Sequence, residues 1–501
     1  MKKLTYLIIT LAVTLTSCKD YLNLIPKNER IVSELSDVKT ELLAFWAGHT
    51  YSVLPIPSYG STSLSLMFYN DTNAQLCLYE DNLNLLRFND HSDISQSIMN
   101  NYYYQLAEWK SMNLATSLWR DGYGTMGMMN AIVDDLVHIC PNPEQASDPQ
   151  LYASIMAEAK TIRAWTLLKL MEFFTPYDMP EYGIPVNLDT EDVEAKPRLT
   201  QQEVYTIILQ EIADAENLDA QRQDFNFFYS PYMLDCLRAE LYAYRAESAA
   251  AEEGDWQQAE RYATAATADY ALETTSGMLR DMFAADAISY TTESPYYALK
   301  IASKRTCSIG NSFTGIWGKN NAQQISDDLY ALYDPKDIRL EAWFNKGEVE
   351  GVPAVFVRKP TVSEWGPVSD LLVLCRKADM YLLLTEAKLR LGKTQEAAEM
   401  LQTFRSSRIP GYSQMVDPNN LLTEIANERR KELCYENGAR FIDMKRLRLS
   451  VSRVAFSKAS TGTETFTLQP NDYRYALPIP TSIEIDYNNI PQNPGWGSLI
   501  E

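Results

Sequence analysis

Two carboxylates four residues apart, Glu428 and Glu432 in "ERRKELCYENGARFIDMKR", have a spacing that could do acid–base chemistry in this 501-residue chain. On a helix, positions i and i+4 share a face. A retaining glycosidase needs two carboxyls about 5 to 5.5 Å apart beside a cleft. The same run interleaves Arg429, Arg430, Lys431, Arg440 and Arg446 with the acids. Neighbouring cations lower a carboxyl pKa and spoil a general acid. The pair therefore reads as an ion-pair network tying the last helices together, and no catalytic residue is expected. "GYGTMG" (Gly122, Gly124, Gly127) fits the dinucleotide fingerprint in its letters. That motif works only between a strand and a helix, whereas "NLATSLWRD" before it carries a helical pattern. Three histidines (His49, His91, His138) with no HExxH remove most zinc chemistry. The acidic run Asp189, Glu191, Asp192, Glu194 lacks the glycine and terminal glutamate of a calcium loop and reads as solvated. No GxSxG nucleophile turn is present. No metal or cofactor is expected.

The residues left over suit binding. The chain holds 31 tyrosines and 9 tryptophans. Sugar rings present C–H faces that stack on aromatic planes, while amides, acids and guanidinium groups bond the hydroxyls. Most of these rings are nonetheless expected in the core, as with Trp119, Trp165 and Trp256 in helical patterns. A net charge of -21 argues against nucleic acid, whose phosphates need clustered Lys and Arg.

At the front, Lys2 and Lys3 precede an apolar run from Leu4 to Leu15, and Thr16-Ser17-Cys18 follow. The run is shorter than the roughly 20 residues a membrane-spanning helix needs and reads as a secretory signal over 1–17. A cysteine directly after it resembles the lipobox of bacterial lipoproteins, which implies lipidation at Cys18 and an outer-membrane lipid anchor. The other six cysteines (Cys77, Cys140, Cys236, Cys307, Cys375, Cys434) show no CxxC and no repeating spacing. Cys236, Cys375 and Cys434 lie in apolar helical patterns, where a thiol acts as a small hydrophobe; a disulfide stays open.

The elements that must position any site are mainly helical. In "IMAEAKTIRAWTLLKLMEFF", Ile155, Ala159, Ile162, Trp165 and Leu168 fall on successive turns. "RAESAAAEEGDWQQAERYATAA" and "TEAKLRLGKTQEAAEMLQTF" each run helix, glycine (Gly254 or Gly392), helix, with alanines at matching offsets. That is the pattern of tetratricopeptide (TPR)-type hairpins, in which stacked helix pairs bury a continuous core. Helices are expected over about 155–175, 201–218, 232–271, 378–408 and 421–449. Segments of about 55–112 and 280–370, rich in Tyr, Asn, Ser and Gly, read as long loops with short strands, and 457–501 is proline-punctuated. Loops of such length usually carry function. The fold class is mostly α, with TPR-like hairpins as scaffold and a loop-rich second part.

Five blocks, "AEAKTIRAWTLLKLMEFF", "RLTQQEVYTIILQEIADAENL", "RKADMYLLLTEAKLRLGKTQEAAEMLQTFRSSR", "IANERRKELCYENGARFIDMKRL" and "YALPIPTSIEIDYNNIPQNPGW", resemble in order and spacing the SusD/RagB family of outer-membrane lipoproteins. The resemblance covers nearly all of 18–501 and implies one domain with four TPR-like hairpins. It also implies a lipid-anchored, outward-facing lid on a SusC-like TonB-dependent transporter, capturing glycan for uptake. "KDYLNLIP" after Cys18 resembles the family's mature start, and "WRDGYGTMGMMN" places Trp119, Tyr123 and Asn130 as scaffold. "TPYDMPEYGIPV" departs from the family's Tyr-Gly-Asp turn, leaving Tyr177, Asp178 and Pro180 to keep the turn without its glycine. The family's ligand arc falls by position on Tyr69, Asp71, Arg87, Trp109, Tyr296, Trp317 and Asn320. Trp317, in "TGIWGKNN", is flanked by glycines and amides with no helical period. A RagB-like peptide-binding lid and a secreted glycoside hydrolase are the alternative readings.

Overall fold

The structure, a computed structural model, describes residues 32–49, 75–77, 79–86, 103–223, 226–283, 300–302, 324–349, 351–357, 359, 371–458, 462–480, 485 and 488–497. Its frame is a set of ten helices: α1 (Leu35–His49), α2 (Met112–Ile139), α3 (Pro149–Phe174), α4 (Gln201–Asn217), α5 (Pro231–Arg245), α6 (Asp255–Ala266), α7 (Lys377–Arg390), α8 (Thr394–Arg408), α9 (Leu421–Leu433) and α10 (Ala439–Arg446). Shorter helical turns lie between them. Among the described residues, strands come as three antiparallel pairs: β1 (Lys300–Ala302) with β4 (Leu371–Val373), β2 (Phe344–Val349) with β3 (Val352–Val357), and β5 (Val451–Phe456) with β6 (Thr463–Leu468). Among the described residues no helix is long and apolar enough to cross a membrane.

Local chemistry explains where the long helices begin. The Ser111 side chain accepts from the Leu114 N–H to open α2, and Asp148 does the same for Leu151 with Pro149 at the first turn of α3. Thr200 and Glu203 form a reciprocal capping box on α4. Helix α3 is buried on every side, from Tyr152 to Phe174, which is why its sequence shows apolar residues all round. Its Glu158 carboxylate, fully buried, accepts the backbone N–H groups of Phe227, Phe228 and Tyr229 at 2.6–3.2 Å. Those bonds offset the desolvation that pushes its pKa up.

The two glycine-centred hairpins form as their sequences predict. Gly254, at φ +93°, turns α5 into α6, and Gly392, at φ +77°, turns α7 into α8. Helix α6 packs on both α5 and α7. Their seam is built from Ala239, Ala243, Ala259, Ala263 and Ala387 around Cys236, all buried; small side chains let the helices approach closely. Between α9 and α10, Gly438 at φ +73° lies so close to Phe173 that a Cβ there would stand 2.8 Å from its ring. The Tyr177 turn holds without the family's glycine. Tyr177 donates to the Tyr244 carbonyl at 2.6 Å, Asp178 pairs with Arg448, and Gln201 donates to the carbonyls of Pro176 and Met179.

One thiol departs from expectation. Cys236 sits in α5 and Cys434 is buried just past α9, but Cys375 precedes α7 in a non-helical conformation, at φ +46°. The apolar pattern around it belongs to β4 and to α7 rather than to one continuous helix. The five described cysteines are free thiols.

Candidate functional site

The Glu428–Glu432 pair is sealed in the protein. Both side chains are completely buried. Arg339, Arg405 and Lys431 reach Glu428 at 2.6, 2.8 and 2.9 Å. Arg339, Arg376 and Arg408 reach Glu432 at 3.0–3.1 Å. Burial pushes both carboxyls up, but the cations outweigh it and hold both well below the usual range. A permanently ionised acid with every face occupied by cations has no proton to give a glycosidic oxygen and no route to one. Gly122, Gly124 and Gly127 lie inside α2, so the strand-to-helix turn that a dinucleotide site requires is not formed there.

Of the ligand arc expected from sequence, Tyr69, Asp71, Arg87, Tyr296, Trp317 and Asn320 lie outside the described residues, as does Cys18. Trp109 is described, and it corrects the expectation. Its ring has no exposed surface, its indole N–H donates to the Tyr79 carbonyl at 2.7 Å, and the Arg453 guanidinium covers its face. A fully covered ring offers no plane on which a sugar could stack.

A cavity of about 430 Å³ opens between α2 and the segment 185–196. One wall is the face of α2 carrying Trp119, Tyr123, Met126 and Asn130, residues at helical spacing. Two hydrogen bonds clamp the opposite wall to this face: Tyr123 Oη donates to the Pro185 carbonyl at 2.8 Å, and Asn130 Nδ2 to the Asn187 carbonyl at 2.9 Å. Trp119 is fixed edge-on against Phe174, ring centroids 5.0 Å apart. The Trp119 indole N–H and the Asn130 side-chain oxygen are buried with no hydrogen-bond partner among the described residues, a state that costs about 1–3 kcal/mol per group. Asp189, Asp192 and Glu194 lie on the rim with Lys196, which pairs with Asp192. The Asp189 and Asp192 side chains also accept N–H groups two residues on, which shapes the loop. Among the described residues no three acidic, His or Cys side chains converge as a metal site.

Sequence reasoning treated Trp119, Tyr123 and Asn130 as scaffold only. The signal that marks them is Gly127, a glycine inside a helix on the same face, where a Cβ would meet nothing within 4 Å. A helix-interior glycine with no neighbour demanding it points to open space.

Comparison with known proteins finds two family models and a set of similar folds. A model described as "SusD family" matches residues 358–496, and one described as "Starch-binding associating with outer membrane" matches residues 67–224. The SusD-like protein P38 of Formosa agariphila is 24% identical over 388 residues, 66% of this chain and 72% of that protein. The fold superposes on a SusD superfamily protein from Bacteroides thetaiotaomicron with a TM-score of 0.67 at 21% identity, covering 92% of this chain and all of the other. It also superposes on surface glycan-binding protein A of the same organism with a TM-score of 0.63 at 15% identity, covering 93% and 100%.

Proposed function

Because the chain belongs to the SusD family, we propose that it is a cell-surface lipoprotein that binds an oligo- or polysaccharide and hands it to a SusC-like TonB-dependent transporter in the outer membrane. The observation that carries this reading is the pair of family matches, over 67–224 and 358–496, on a scaffold of which 92% aligns with a SusD superfamily structure. Cys18 is the tether to the outer leaflet, and the protein is a binder rather than an enzyme.

Physical features support the division of labour. Buried charge networks and alanine-seamed hairpins make a stiff frame, and stiff frames present variable loops without paying large ordering costs on binding. The Glu428–Glu432 pair is locked by cations. A net charge of -21 favours uncharged glycans over sulfated or uronate chains through long-range repulsion.

The partner is tested by isolating detergent-solubilised outer membranes of the native organism carrying a tagged copy of this chain. A barrel-sized TonB-dependent transporter should co-purify in fixed ratio, and recovery of the tagged chain alone would overturn delivery. The ligand is tested by retention of the lipid-free protein in gels containing polysaccharides, with peptide mixtures run beside them. Retention by glycan supports the reading, and binding to peptides alone replaces it with a peptide-capturing lid.

A further inference from the structure

The cavity on α2 is lined by Trp119, Tyr123 and Asn130, residues that the sequence reading takes as scaffold, and its chemistry is specific. We propose that it is a second carbohydrate subsite that takes a short run of uncharged sugar rings lying along α2. The proposal rests on the glycan-binding reading and names a place and a ligand class that reading leaves open.

Size comes first. At about 430 Å³ the cavity falls in the range of roughly 300–1,000 Å³ typical of small-molecule sites. Hydrogen-bond character comes next. Trp119 contributes a buried donor and Asn130 a buried acceptor, each without a partner among the described residues and each at least nine-tenths buried. They stand eleven residues apart on one helix, so about 16 Å separates their backbone positions along the axis. That span exceeds one sugar ring and matches a few linked ones, whose hydroxyls both donate and accept. Between the two ends lie the half-buried Tyr123 ring and Met126, an apolar floor for a C–H face. Above the floor Gly127 leaves open space, since a side chain there would occupy the room a ring needs.

Charge sets the class. The rim carries Asp189, Asp192 and Glu194 against the single Lys196, already paired with Asp192. Carboxylates accept hydroxyl protons well and repel sulfates and uronates. The occupant is therefore a neutral oligosaccharide.

The test labels the nine tryptophans with 5-fluorotryptophan and follows their fluorine resonances as cellotriose, maltotriose, mannotriose or trigalacturonate is added. Trp119→Phe assigns the Trp119 signal by its absence. At least one neutral triose should shift the Trp119 signal saturably, and trigalacturonate should not. Gly127→Leu, which replaces glycine by a better helix former, should keep or raise the melting temperature and weaken that triose more than tenfold. A Trp119 signal unmoved by every neutral triose, equal binding by Gly127→Leu, or a preference for trigalacturonate would overturn the subsite. If wild-type protein is retained by a polysaccharide gel while the Trp119 signal stays still, the subsite alone fails. If no polysaccharide retains it and no triose binds, the glycan reading fails with it.

Discussion

The Arg453 guanidinium lies over the Trp109 ring, its central carbon 3.6 Å from the ring centroid. Arg453 comes from β5 and Trp109 from the turn before α2, so the contact joins two segments far apart in sequence. The guanidinium also donates to the carbonyls of Ala107 and Glu80 at 3.1 Å, and to that of Leu106. Burial pulls its pKa down to about 9, which leaves it charged at neutral pH. The π face and three carbonyls help to offset the cost of burying that charge.

Trp109→Ala should accordingly cost stability, about 3–5 kcal/mol as for other buried aromatics. Urea unfolding followed by fluorescence measures it. A variant as stable as the wild type that no longer binds glycan would restore Trp109 to the ligand surface.

Glu428→Gln places a neutral amide against Arg339, Arg405 and Lys431. Breaking a buried pair in this way costs about 3–5 kcal/mol. Unfolding midpoints should fall while glycan binding by the folded fraction is unchanged. A variant of normal stability with altered glycan turnover would contradict the structural role.

The acid side of the stability profile follows from the same network. Burial raises Asp443, but Arg429 and Arg446 outweigh it and bring its carboxyl from 3.8 to about 2. A group depressed in the folded state contributes stability above its unfolded value and loses it as pH falls through the folded one. Asp443 should therefore give up its contribution between pH 4 and pH 2, and Asp443→Asn should flatten that part of a pH-resolved melting curve. An unchanged curve would show that Asp443 does not drive the acid transition.

Glu80 works in the opposite sense. Burial raises its carboxyl from 4.5 to about 8, against a 2.8 Å bond from Asn82. The folded state then holds a proton that the unfolded chain has released, so Glu80 stabilises below pH 4.5 and loses that contribution as pH rises toward 8. Replacing it with Gln should remove this decline and leave the variant more stable than the wild type at pH 8. A wild-type curve flat from pH 5 to 8 would contradict the assignment.

Much of the scaffold was legible because its determinants are local. Gly254 and Gly392 sit where each hairpin turns, Thr200 and Glu203 spell a capping box in sequence, and the cations beside Glu428 announce an ion-pair network. Trp109 was misjudged because the group that covers it, Arg453, arrives from far along the chain and leaves no trace in the local pattern. The cavity stayed hidden for the same reason. Trp119, Tyr123 and Asn130 share a helix face in any reading, but the wall that turns this face into a site is the segment 185–196, placed by hydrogen bonds to Pro185 and Asn187. The sequence-derived arc apart from Trp109, including Trp317 and Tyr296, lies outside the described residues.

Lipidation gives a test of location that is independent of ligand. Cys18→Ala should remove the lipid acceptor, so that the exported protein leaves the outer-membrane fraction and appears in soluble fractions. Unchanged retention in outer membranes would show that another contact anchors the chain.

The central claim is glycan capture without catalysis, and native gel electrophoresis through a panel of neutral polysaccharides tests it most directly. Purified lipid-free protein should be retarded by at least one polysaccharide in proportion to its concentration, and that polysaccharide should keep its chain length after prolonged incubation. Free migration through every glycan of the panel, or shortening of the retarding glycan by the clean protein, would contradict the account.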